Sequence, residues 1–188
     1  MFLSIPASVA LVIGSEQIIS ALFGYGSFTE SSVLNSSKAL YFFGLGLPAF
    51  ALIKVFSTFF FANHDTKTPF YISLVSVLLN ILISVYFFKD IGFIIIPIAT
   101  TISSWFNSLI LFIYLKNDNL FKFNETFFKQ FVKIIFASIM MGIFFQYLIL
   151  LFENQLSYTY FFKFGYLLLC VLFTIIFYLV LSYFIKAF

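Results

Sequence analysis

The chain has 188 residues, 63% of them apolar and only 9% charged, with a net charge of +3. Soluble domains carry roughly a quarter charged residues, and a chain this short cannot hide so much apolar surface from water in one core. An ordinary water-soluble domain is therefore excluded, and lipid is the expected solvent. All ten basic residues are Lys and none cluster into the basic face that nucleic acid requires. The single Cys170 excludes an internal disulfide, and His64 has no Cys partner or carboxylate cluster with which to hold a metal. The 32 Phe residues, with abundant Lys, Ile and Asn, fit an A/T-biased genome better than an aromatic binding surface.

In hydrocarbon every backbone N–H and C=O must be paired internally, which leaves helices or a closed barrel. The apolar runs are about twenty residues long and lack strand alternation, so the predicted fold is all-α. It is a polytopic membrane helix bundle of about six transmembrane helices forming one domain over 1–188. The first segment, 1–23, is interrupted by Pro6, Gly14 and Glu16; it lacks a basic leader and cleavage site and reads as a retained helix. It ends in the glycine-punctuated turn Phe23–Thr29. The second, 32–62, contains Gly44-Leu-Gly46-Leu-Pro48, a kink or a close-packing point. A polar loop, Asn63–Thr68, precedes the third segment, 69–88, where Thr68 is the expected cap and Pro69 the first helical residue. Lys89–Gly92 turns the chain into the fourth segment, 93–115. The Lys116–Lys129 connection, with Phe121, Phe123, Phe127 and Phe128, reads as an amphipathic piece in the membrane interface. The fifth and sixth segments are 131–152 and 158–185.

Six crossings place both termini on one side. That side carries Lys67, Lys116, Lys122, Lys129, Lys133 and Lys186, against Lys38, Lys89 and Lys163 opposite, so the positive-inside rule predicts cytoplasmic termini.

Polar residues inside the membrane are the candidates for function. Lys54 lies eight residues from the end of the second segment, roughly 12 Å at helical rise. Such a charge marks a functional site or snorkels to the headgroups. Ser73, Ser76, Asn80 and Ser84 form a stripe on one helix face, and Thr100, Ser104 and Asn107 offer matching spacing on the next segment. These groups either glue packed helices together or line a water- or ion-bearing seam. Glu16 is the one acid inside a segment, either an ion group or a residue reaching the outer interface; Gln146 reads as a packing hydrogen bond. No nucleophile–base pair, phosphate-binding glycine loop or metal-ligand cluster is present, so the chain is not expected to be an enzyme and needs no resident cofactor.

Four stretches resemble the MurJ/MviN family of lipid II flippases. They are Leu22-Phe-Gly-Tyr-Gly-Ser-Phe-Thr29, Gly44-Leu-Gly-Leu-Pro-Ala-Phe-Ala-Leu-Ile-Lys-Val55, Phe60-Phe-Ala-Asn-His-Asp-Thr-Lys-Thr-Pro69 and Ala99-Thr-Thr-Ile-Ser-Ser-Trp-Phe-Asn107. They stand in the family's order within about Pro6 to Leu115; the last two helices agree in kind. The resemblance implies a fourteen-helix alternating-access fold of the multidrug/oligosaccharidyl-lipid/polysaccharide exporter superfamily, of which this chain matches helices nine to fourteen. It implies an undecaprenyl-pyrophosphate-linked peptidoglycan precursor as substrate, membrane lipids and the missing N-terminal helices as partners, and the bacterial inner membrane as location. By position it assigns packing or gating to Lys54 and Asp65. A hinge falls at Gly44, Gly46 and Pro48. Asn80, Ser84 and Thr100 stand where some members bind sodium, those members having a carboxylate at the position of Ser84. The last two helices correspond to a lipid-facing groove for the polyprenyl tail. An exporter of another lipid-linked oligosaccharide and a non-transporting scaffold are the alternatives.

Overall fold

The computed structural model describes residues 1–117 and 125–187. Its elements are α1 (Ser4–Ile13), α2 (Ser15–Phe23), α3 (Glu30–Ala62), α4 (Lys67–Ile91), α5 (Ile95–Asn117), α6 (Glu125–Leu151), the single turn α7 (Glu153–Leu156) and α8 (Lys163–Ile185). No strand occurs among the described residues, as the lack of alternation requires. By length and hydropathy four stretches can cross a membrane, and five if the bent α1–α2 pair counts as one. One of the four is the 51-residue run Lys67–Asn117, about 76 Å if it were a single straight helix. It folds back instead at Gly92, whose φ of 73° and ψ of −152° only glycine adopts readily. α4 and α5 therefore form an antiparallel hairpin.

The solvent-accessible area is 11725 Å², against roughly 9,200 Å² for a compact soluble monomer of this mass. The excess is apolar: Leu82, Val85 and Tyr86 on α4 are 67%, 71% and 78% exposed. Three small cores hold the helices together. Phe56, Phe60, Ile72, Leu111 and Leu115 join α3, α4 and α5. Ala21, Phe145, Leu148, Ile149, Leu167 and Cys170 join α2, α6 and α8. Ala137, Met141 and Tyr178 join α6 and α8, with Phe2, Val9 and Ala10 of the N-terminal stretch packed on them. The N-terminal helices thus bridge the two halves.

Several expectations are corrected. The segment 1–23 is not one helix: α1 and α2 meet at Gly14 with a 76° bend. A Cβ at Gly14 would lie 2.6 Å from the Phe145 ring, so the ring of α6 occupies the bend and only glycine fits beneath it. Glu16 consequently sits exposed in the first turn of α2, where its charge complements the helix dipole. Thr68 does not cap α4, which begins two residues before Pro69; Asp65 Oδ1 accepts the backbone N–H groups of Lys67 and Thr68 at 3.0 and 3.1 Å. α6 begins earlier than 131, and α8 begins later than 158 because the short α7 and its turn take up the residues after α6. The proposed interfacial piece within 116–129 falls on 118–124 and on the side chains of 125–127, outside the described residues; Phe128 lies exposed on α6. Gln146 makes no packing hydrogen bond among the described residues and instead lines an open apolar groove between α1 and α6.

Gly142 of α6 faces α1 so closely that a Cβ there would meet Val9 Cγ1 at 2.6 Å and Ile13 Cδ1 at 2.8 Å, whereas Gly165 of α8 has open space around it. Gly142→Val should destabilise the chain in detergent by about 1–3 kcal/mol through overpacking. Gly165→Ala should stabilise it by about 0.5–1 kcal/mol. Equal melting temperatures for the two variants would contradict this packing.

Candidate functional site

The polar stripe of α4 and that of α5 meet in the hairpin. Asn80 Nδ2 donates to Thr100 Oγ1 at 3.1 Å and to Ser103 Oγ at 3.3 Å, and Ser84 Oγ donates to Asn80 Oδ1 at 3.3 Å. Seven residues toward the other end, Asn107 Nδ2 donates to Ser73 Oγ at 3.4 Å. The Asn80–Thr100 and Ser73–Asn107 pairs are related by equal and opposite steps along the two helices, as antiparallel neighbours require, so one register brings both together. Beside them lies an open groove of about 300 Å³ lined by Ser73, Asn80, Thr100, Ser103, Asn107 and Ile53 of α3, among others. Asn107 Oδ1 is buried there with no donor among the described residues. The stripe ties α4 to α5 by hydrogen bonds and also lines this groove.

Lys54 lies on the exposed face of α3, and no acceptor contacts its ammonium among the described residues. Asp65 lies in the short loop after α3, where it holds the first turn of α4. The Thr68 hydroxyl first, and the Thr68 and Lys67 backbone N–H groups after it, hold this carboxyl below its ordinary pKa of 3.8. Gly44 and Gly46 are close-approach points: a Cβ at Gly44 would lie 3.1 Å from Leu11 Cβ, and one at Gly46 2.9 Å from Thr101 Oγ1. Pro48 lies within α3, which continues through it.

One polar centre escapes sequence reasoning. Lys163, expected at the end of the sixth segment opposite the termini, is 1% exposed. Its Nζ donates to Gly24 O at 2.7 Å and Tyr158 O at 2.8 Å, and it stands 4.5 and 4.7 Å from the ring centroids of Tyr25 and Tyr158. Carbonyl dipoles and aromatic faces replace the water that a buried ammonium loses. Tyr158 Oη in turn donates to Phe28 O at 2.7 Å, so the 24–29 turn is pinned to the start of α8. The three lysines of that side look alike in sequence; the glycine turn that receives this one lies 139 residues away.

At the other end Tyr178 Oη donates to Phe2 O at 2.7 Å and Lys133 Nζ to Lys186 O at 3.1 Å. Both termini therefore lie at one end of the bundle, opposite the Lys163 cage.

An all-helical apolar bundle with polar groups along its spans belongs to the class of polytopic membrane proteins. Comparison with known proteins narrows the class. The family model described as "Lipid II flippase MurJ" matches residues 1–167. A "Probable lipid II flippase MurJ" of Rhizobium meliloti (strain 1021) is 39% identical over 112 residues, 60% of this chain and 21% of the relative. Its namesake in Buchnera aphidicola subsp. Baizongia pistaciae (strain Bp) is 31% identical over 153 residues, 81% of this chain and 29% of that protein. A solved "Lipid II flippase MurJ, inward closed conformation" superposes with a TM-score of 0.78 at 28% identity, over 98% of this chain and 36% of the other. The chain belongs to the MurJ family of lipid II flippases and is a multi-pass protein of the bacterial inner membrane. It spans well under half the length of these relatives.

The Lys163 cage and the Asp65 cap can each be tested. Lys163→Met leaves two carbonyls without a donor and should cost about 1–3 kcal/mol in a detergent melt. Tyr25→Phe keeps the ring and should be nearly silent, while Tyr25→Leu should cost about 0.5–2 kcal/mol; equal effects of the two would refute the cage. For Asp65 the folded pKa is depressed, so its stabilisation is complete above the ordinary 3.8 and is lost as pH falls from there through the lower folded value. The amide resonances of Lys67 and Thr68 should shift in that window and show no acid step in Asp65→Asn.

Proposed function

We propose that this chain is the C-terminal portion of a lipid II flippase, corresponding to helices nine to fourteen, which moves an undecaprenyl-pyrophosphate-linked peptidoglycan precursor across the inner membrane by alternating access. The observation that carries the reading is the TM-score of 0.78 over 98% of the chain against a MurJ flippase at 28% identity. Transport of this kind requires a lower barrier for an anionic headgroup in hydrocarbon, where one charge costs several kcal/mol. Lys54 contributes to lowering it, because an ammonium on an open face of α3 is available to a pyrophosphate oxygen. Both termini face the cytoplasm under this reading, in agreement with the excess of lysines at their end of the bundle.

Gly44, Gly46 and Pro48 provide the place where α3 changes shape between states, and Asp65 fixes the α3–α4 connection at the cytoplasmic side. Asn80 Oδ1, Ser84 Oγ and Thr100 Oγ1 are assigned to Na⁺ coupling. They supply part of the oxygen shell a hard cation needs, the rest coming from helices outside this chain. The open apolar groove between α1 and α6 is suited to membrane lipid or a polyprenyl tail.

In a complete flippase carrying this segment, Lys54→Met should lower the lipid II reaching the outer leaflet about tenfold, as expected for loss of a charge-assisted hydrogen bond. Lys54→Arg should retain transport. Unchanged outer-leaflet lipid II in Lys54→Met would remove the headgroup role. Accumulation of a different lipid-linked glycan on depletion of the flippase would favour an exporter of that glycan instead.

A further inference from the structure

Pro48 leaves α3 with a carbonyl its own backbone cannot satisfy. In an unbroken helix Gly44 O would accept the N–H of residue 48, and proline has none. Ser8 Oγ of α1, a residue only 8% exposed, donates to Gly44 O at 2.7 Å. Two nearby carbonyls, which keep their own backbone donors four residues on, accept a second bond from outside the helix. Thr101 Oγ1 donates to Phe42 O at 2.7 Å, and Trp105 Nε1 to Leu45 O at 3.1 Å. Thr101 and Trp105 are four residues apart and so share one face of α5. One turn of α3 is therefore gripped by α1 on one side and α5 on the other. The absent side chains of Gly44 and Gly46 are what let both neighbours come close enough. Among the described residues the pattern recurs at Pro6, which has no N–H for Phe2 O; Tyr178 Oη of α8 donates to that carbonyl at 2.7 Å.

We propose that Ser8, Thr101 and Trp105 are positioning residues that latch the turn Phe42–Leu45, so that α3 bends at Pro48 only when these donors let go. The latch is a property of the chain itself; only its consequence for transport rests on the flippase reading. A helix with a proline in hydrocarbon can bend easily only if its freed carbonyl keeps a donor or finds another. Here the donors sit on two different helices. A bend at Pro48 must therefore displace α1 or leave Gly44 O unpaired, and it must displace α5 or give up the added bonds from Thr101 and Trp105 to Phe42 O and Leu45 O. Shape change in α3 is coupled to both neighbours through three named hydrogen bonds, and the shared conformation is fixed by them rather than by apolar packing, which in lipid discriminates weakly between arrangements.

The bonds can be read directly in the intact 188-residue chain in detergent micelles. Labelling with carbonyl-¹³C glycine and ¹⁵N leucine isolates two peptide links, Gly44–Leu45 and Gly46–Leu47. Ser8→Ala should move the Gly44 carbonyl resonance and leave that of Gly46 in place, and Ser8→Thr, which keeps the hydroxyl, should restore it. The bend can be read from spin labels at Asn35→Cys and Phe61→Cys in a Cys170→Ala background, both on exposed positions of α3. The parent should give one distance; Ser8→Ala with Thr101→Val should add a second, shorter one; Ser8→Thr with Thr101→Ser should return to one. An unmoved Gly44 carbonyl overturns the hydrogen bond. A moved carbonyl with an unchanged distance overturns the latch, as does a second distance that the hydroxyl-keeping variants fail to remove. Neither readout involves lipid II, so a failure of the flippase reading leaves both results standing.

Discussion

The constraint on which the structure depends is that a backbone carbonyl in hydrocarbon must have a donor. Helices meet it internally almost everywhere, and the interesting chemistry lies where they do not. Gly44 O and Phe2 O, orphaned by Pro48 and Pro6, are met by hydroxyls from other helices. Gly24 O, past the end of α2, is met by a buried ammonium. Each of these bonds is long in sequence and short in space, and together they fix which helices neighbour one another. Apolar packing fills the space between them, but lipid tails are as apolar as Leu and Phe, so burial alone distinguishes few arrangements.

Small residues follow from the same constraint. A hydroxyl reaches a carbonyl on a neighbouring helix only when the two backbones approach closely, and Gly44, Gly46 and Gly142 mark those approaches. Gly14 does something different. It ends α1 and begins α2 and so turns the chain by 76°, with the Phe145 ring seated in the space a side chain would fill. The bend exposes a second helix N-terminus part-way along an apolar segment, and Glu16 sits in that first turn, where the backbone N–H groups lack intrahelical partners.

How much of this is legible in the sequence follows from the range of each interaction. The helices, the Gly92 turn and the stripes of α4 and α5 are local or periodic, so their signals survive in one dimension; the pairing of Asn80 with Thr100 is set by the register of the hairpin. The cap of α4 falls three residues from its expected place because Thr68 and Asp65 are both good caps, and backbone geometry, not residue type, chooses between them. The Gly14 bend is not legible because a glycine in an apolar run is a common and harmless feature unless a ring from far along the chain fills its site. Lys163 escapes for a related reason. Sequence offers a lysine beside aromatic residues at a helix start, and only the fold brings Gly24 and Tyr25 to it.

The two ends of the bundle are held by different physics, and this bears on which end yields first. At the Lys163 end, a cation, two carbonyls and two aromatic rings form a closed set, with Tyr158 serving both Lys163 and Phe28. Opening it means either hydrating an ammonium that is 1% exposed or separating it from every partner at once, so the contacts break together or not at all. At the opposite end the polar ties described are separate from one another: the Tyr178 phenol to Phe2 O, half-buried Lys133 to Lys186 O, and the Asp65 carboxylate to the first turn of α4. Separate ties can open one by one. A bundle so built is stiff at the glycine-turn end and compliant at the end that carries the termini, and a bend at Pro48, between the two, would swing the compliant half of α3 against the fixed one.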